Sequence, residues 1–76
     1  MQRYLNIDGD SNVYAYELGD DQIAVQFRDG TVYTYTYASA GRDNVEQMKS
    51  LAAAGTGLNS FIRSNPRVRM GYASKR

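Results

Sequence analysis

The side chains in this chain best suited to chemistry are aromatic and cationic. From Thr31 to Tyr37 the sequence runs TVYTYTY, placing Tyr33, Tyr35 and Tyr37 at two-residue spacing. In an extended strand that spacing puts the three rings on one face. Such a row can act as a platform for nucleic-acid bases, each stacked base contributing about 1–3 kcal/mol. It can equally form one wall of a hydrophobic core. A second constellation is Arg63, Arg67, Arg69, Lys75 and Arg76, with Tyr72 interleaved. These five cations can grip a phosphate backbone in a salt-dependent way, or form an exposed charge run that keeps a small domain soluble.

Charge is distributed unevenly along the chain. All eight acidic residues lie between Asp8 and Glu46, and from Met1 to Glu46 the basic residues are only Arg3, Arg28 and Arg42. From Gln47 to Arg76 there are six basic residues and no acid, so the formal net charge is only +1. This asymmetry points to a polyanion or an acidic partner surface. The alternative is that the two halves neutralise each other inside one fold.

Other chemistries find little support. With no histidine and no cysteine, the usual neutral-pH general base and the thiolate nucleophile are both missing. There is no glycine-rich phosphate loop, and no spacing singles out a triad, so the expectation is a non-enzyme without cofactor or metal. The run DGDSN, Asp8 to Asn12, opens like a calcium-binding EF-hand loop. Val13 and Gly19 then occupy the places that need Gly and Glu, and a polar turn is expected instead. No apolar run approaches the roughly 18–20 residues of a membrane span. The N-terminal stretch lacks the apolar core of a signal peptide. A cytoplasmic, membrane-independent protein is expected.

These groups must be held by a small scaffold. A chain of 76 residues forms one domain and buries only about 60% of its unfolded surface. SNVYAYEL and QIAVQFR alternate apolar and polar residues, as half-buried strands do. Turn signals at Gly19–Asp21 and Arg28–Gly30 separate these two runs and the tyrosine row into an antiparallel three-stranded meander. RYLNI could add a short fourth strand. After Tyr37 the period changes, and a helix is expected with Asp43 as N-cap, Glu46 completing a capping box, and Gly55 at its C-terminus. Val45, Met48 and Ala52, helped by Leu51, supply its apolar stripe. A shorter helix with Leu58, Phe61 and Ile62 on one face follows, stopped by Pro66. Beyond it, RVRMGYASKR reads as an edge strand or a loose basic tail, so residues 66–76 are set apart from a core over 11–65.

Register decides what the tyrosines do, because a one-residue slip exchanges the faces of a strand. Across the first turn, Leu18 should face Ile23, Tyr16 face Val25, and Tyr14 face Phe27. At the second turn a two-residue hairpin at Asp29–Gly30 would turn Tyr33, Tyr35 and Tyr37 away from Ile23, Val25 and Phe27, exposing them. A three-residue loop with Gly30 left-handed would instead set Phe27 opposite Thr31, Tyr33 opposite Val25 and Tyr35 opposite Ile23. Burying a tyrosine-sized ring recovers roughly 1.5–3 kcal/mol, which a domain this small needs, so the core register is favoured.

The order of alternating strand, IAVQFRDGTVYTY, helix and GLNSFIR resembles the KTSC domain, known as a C-terminal extension of some lysyl-tRNA synthetases and as short stand-alone proteins. Ile23, Val25 and Phe27 match its strand, Gly30 its turn, and Tyr33 and Tyr35 its Tyr-x-Tyr. Gly57, Asn59, Ile62 and Arg63 match its closing segment. The resemblance spans roughly residues 11–63 and implies RNA binding only by association with a tRNA enzyme. Taken together, the expectation is an α+β domain: a three-stranded antiparallel meander with two C-terminal helices on one face. Its expected role is RNA or single-stranded nucleic-acid binding through Arg63, Arg67, Arg69, Lys75 and Arg76, with Tyr33 and Tyr35 as a stacking site. The alternative is a protein-interaction or self-association module using an open edge or the uncovered sheet face of Val13, Ala15, Val32 and Thr34.

Overall fold

A computed structural model describes residues 1–7, 9 and 11–76. Asp8 and Asp10 lie outside the described residues, and with them the turn expected over 8–12. The fold is α+β, with one antiparallel sheet of five strands in the order β1-β2-β3-β4-β5. These are β1 Gln2–Arg3, β2 Val13–Leu18, β3 Gln22–Phe27, β4 Val32–Thr36 and β5 Ser74–Lys75. Four helices lie between β4 and β5: α1 Tyr37–Ala40, α2 Arg42–Ala54, α3 Leu58–Ser64 and α4 Pro66–Arg69. The three-stranded meander expected from periodicity is thus the centre of a wider sheet. Of the two added edge strands, β1 overlaps the short strand expected from RYLNI only at Arg3, and β5 lies within RVRMGYASKR, read as an edge strand or a basic tail.

The turn at Arg28–Gly30 sets the central register. Phe27 N–H donates to Thr31 O at 2.9 Å, Gly30 N–H donates to Phe27 O at 2.9 Å, and Gly30 has φ +90°. Only glycine enters that region without strain. The loop therefore takes three residues, placing Val25 opposite Tyr33 and Ile23 opposite Tyr35. Across the first turn Leu18 faces Ile23 and Tyr16 faces Val25. Tyr14 does not face Phe27. A bulge between Val13 and Ala15 sets Val13 opposite Phe27 instead. Two residues of β2 then oppose one of β3, and the extra residue leaves the alternation. Val13 goes into the core at 1% exposure, so it does not belong to the uncovered face. Tyr14 stays outside, with the Arg3 guanidinium carbon 4.4 Å from its ring centroid.

The core forms where the helices meet one side of the sheet. Val13, Tyr16, Ile23, Val25 and Tyr35 from the strands meet Val45, Met48 and Ala52 of α2, with Leu58 and Ile62 of α3 and Val68 of α4. The stripe read from helical spacing is therefore the buried face of α2, and Gly55 caps it as expected. Its start differs. Asp43 lies in the first turn of α2 rather than at its cap, because a one-turn helix precedes it. Thr36 caps that turn: its Oγ1 accepts from Ser39 N–H at 3.0 Å, and Ser39 Oγ accepts from Thr36 N–H at 3.0 Å. The Tyr4 hydroxyl, from the segment after β1, accepts from Leu58 N–H at 3.3 Å. It thereby supplies one partner for the start of α3, which has no side-chain cap.

The C-terminal segment is neither wholly extended nor loose. Asn65 caps α4, with Pro66 in its first turn, so the alternation after Pro66 is interrupted by a helical turn. β5 then pairs Ser74 with Thr34 and Lys75 with Tyr33. No helix among the described residues is long and apolar enough to cross a membrane.

Candidate functional site

The same loop that sets the register builds a cleft at one end of the sheet. Arg28 N–H donates to Asn12 O at 2.9 Å, and its Nε donates to Ser11 O at 2.9 Å. These bonds hold the guanidinium at the mouth of the sheet end. Asp29 Oδ1 accepts from Thr31 N–H at 2.9 Å. That backbone bond, together with the Thr31 side chain, holds the Asp29 carboxyl below its ordinary range, so it stays ionised near neutrality. The cleft encloses about 490 Å³. Buried Tyr35 and Ile62 line its base, half-buried Phe27 and Tyr33 its sides, and Arg28, Asp29, Asn12 and Arg69 its polar rim.

The aromatic side chains around it brace one another. Phe27 meets Tyr33 edge to face, with centroids 5.4 Å apart and an interplanar angle of 81°. Tyr33 lies nearly parallel to Tyr35 at 6.3 Å and meets Tyr72 edge to face at 4.9 Å. Lys75 Nζ stands 5.5 Å from the Tyr33 centroid. Edge-to-face geometry follows from the ring quadrupole and fixes ring orientation as well as adding stability. Burial, with Tyr33 and Tyr72 adding to it, pushes the Tyr35 hydroxyl well above the ordinary phenol range.

The tyrosine row therefore does not act as a three-ring platform. Tyr35 is 1% exposed and belongs to the core wall. Tyr33 is half-buried and shared between core and cleft. Tyr37 has left the strand to open α1, where its hydroxyl lies 2.6 Å from Glu46 Oε2. The five cations are divided as well. Arg69 is on the cleft rim, and its Nη1 donates to Arg63 O at 3.4 Å. Arg63 and Arg69 together line an adjoining groove with Ser60 and Ser64. Lys75 flanks Tyr33. Arg67 lies elsewhere, against Gly41 in a depression shared with Arg42, Asp43 and Asn44. Arg76 pairs with Val32 through both backbone bonds, on the register of the face opposite Tyr33.

Sequence spacing did not identify Arg28, Asp29, Asn12 or Phe27 as site residues. The signal was present in the RDG loop itself: the three-residue register that buries Tyr35 also folds Arg28 and Asp29 over the sheet end. Among the described residues the one ion pair joins Lys49 to Glu46 at 3.0 Å, within α2. It is the single ion pair there between the acidic and basic parts of the chain, and Arg28, Arg63 and Arg69 are exposed with no carboxylate partner among the described residues. No family model, curated protein or solved structure matches the chain.

Proposed function

We propose that this protein is a small non-enzymatic module that binds single-stranded nucleic acid. One base enters the cleft and lies against the Phe27 and Tyr33 rings that line it, and the neighbouring phosphates lie on Arg69 and Arg63. The observation that carries this reading is the convergence of accessible aromatic surface with arginines that have no acidic partner among the described residues. Aromatic side chains stack any base, and unpaired guanidiniums attract phosphates without demanding sequence. The resemblance to KTSC domains points in the same direction, and the absence of histidine and cysteine supports binding over catalysis.

The interaction reading has weaker support. The sheet edges are two residues long, which limits pairing with another chain. On the outer face Ala15 and Ala24 are only 3% and 7% exposed, so they offer a partner little apolar area.

Anisotropy titrations with short single-stranded RNA and DNA test the proposal. Two phosphate contacts on a single strand predict about sevenfold weaker binding at about 200 mM than at about 50 mM salt. Arg69→Ala should weaken binding several-fold, and Arg67→Ala should leave it unchanged. Substitution is more informative than truncation at Pro66, because Val68 is fully buried. Absence of saturable binding to either polymer at low salt would sink the proposal.

A further inference from the structure

The cleft rim carries a carboxylate where a pure phosphate site would carry none. Asp29 sits beside Arg28 at the mouth, its Oδ1 anchored by Thr31 N–H at 2.9 Å. A negative charge beside bound phosphates lowers their affinity, and covering it with a base strips its water. Beside the attraction of nearby Lys75, both penalties are offset by a ligand that itself donates hydrogen bonds to the carboxylate. The nucleobases differ sharply in this respect. Adenine and cytosine present one amino donor beside a ring-nitrogen acceptor, which a carboxylate repels. Uracil presents a single donor between two carbonyls. Guanine alone offers two adjacent donors, N1–H and the N2 amino group, matching the two oxygens of a carboxylate. Its O6 and N7 acceptors lie next along the edge and suit an arginine.

Building on the nucleic-acid reading, we infer that the Phe27–Tyr33 cleft is a guanine site, in which Asp29 accepts from N1–H and the N2 amino group while Arg28 donates to O6 and N7. The two readers are adjacent in sequence and held by separate backbone anchors, Thr31 N–H for the acid and Ser11 O for the base. Asp29 is exposed and lies outside the core, so it can be changed without removing packing.

The test uses uridine hexamers carrying one central guanosine, inosine, adenosine or cytidine, titrated against the full chain by anisotropy. Guanosine should bind on the order of tenfold more tightly than adenosine or cytidine. Inosine, lacking the N2 amino group, should fall between. Asp29→Asn and Asp29→Ser each keep an oxygen for Thr31 N–H, and both should erase the preference while the salt-dependent binding survives. Displacement by free guanosine monophosphate at the strand's own affinity would identify a mononucleotide as the occupant of the same guanine site. A markedly weaker mononucleotide would identify the strand. Equal, saturable binding of all hexamers, or a guanosine preference that survives both Asp29 variants, would overturn the guanine site and leave the nucleic-acid module standing. No binding by any hexamer would overturn both.

Discussion

Gly71 lies so close to the backbone of Ser39 that a β-carbon added there would stand 2.8 Å from the Ser39 carbonyl oxygen. The same carbon would press harder still on Arg67 O and sit 3.1 Å from Ala40 Cα. All three neighbours are backbone atoms, which cannot swing aside as a flexible side chain can. This contact docks the C-terminal segment onto α1 and delivers Tyr72 and Lys75 to the Tyr33 ring.

Gly71→Ala should therefore destabilise the fold by about 3 kcal/mol, the upper range for overpacking a tight contact. Urea denaturation checks it: the midpoint should fall with little change in slope. A midpoint unchanged from wild type would mean the segment docks by other contacts.

Gly30→Ala addresses the register. At φ +90° a side chain costs about 1–2 kcal/mol. The space around Gly30 is open, so the loss should come from backbone strain alone. Backbone amide shifts of Tyr33 and Tyr35 should stay close to wild type if the three-residue loop persists. A slip to the two-residue hairpin would instead show as both rings becoming exposed to solvent quenchers.

Thr36→Ala and Asp43→Ala separate the observed helix start from the one read by spacing. Removing the Thr36 cap should cost about 1 kcal/mol. Asp43→Ala removes only a favourable charge in the first turn of α2, worth about 0.3–1 kcal/mol at a surface. Equilibrium unfolding of the two variants gives the order directly, and the reverse order would restore Asp43 as the effective start.

Alkaline stability should depend on Tyr35. Its hydroxyl is held protonated by burial, above the ordinary value of 10.0 that the unfolded chain retains. The stabilisation is therefore complete below about pH 10 and is lost as pH rises further, by up to about 1.4 kcal/mol per pH unit from this group. Urea midpoints at about pH 9 and about pH 11 should fall more steeply for wild type than for Tyr35→Phe. Equal slopes would show that this phenol does not control the transition.

Much of the scaffold was legible from spacing. Ile23, Val25 and Tyr35 on one face of the sheet, and Val45, Met48 and Ala52 along one helix side, declare themselves because burial repeats with the period of the element that carries it. The three-residue turn at Gly30 was also readable, since only one of two registers buries the large rings. Tyr14 was misplaced because a bulge adds a residue without changing composition, so alternation carried through it falsely. Thr36 was missed as a cap because the helix it starts lasts a single turn.

The sequence by itself determined the three central strands, the two longer helices, the register between β3 and β4 and which half of the chain holds the excess positive charge. These follow from local periodicity and turn chemistry, which act over a few residues. Only the tertiary structure decided that Arg69 joins Phe27, Tyr33 and Arg28 around one cleft while Arg67 and Arg76 point elsewhere. That division depends on Pro66–Arg69 turning helical and on Gly71 meeting α1, contacts between segments some thirty residues apart. No periodicity within either segment records which face of the other it will meet.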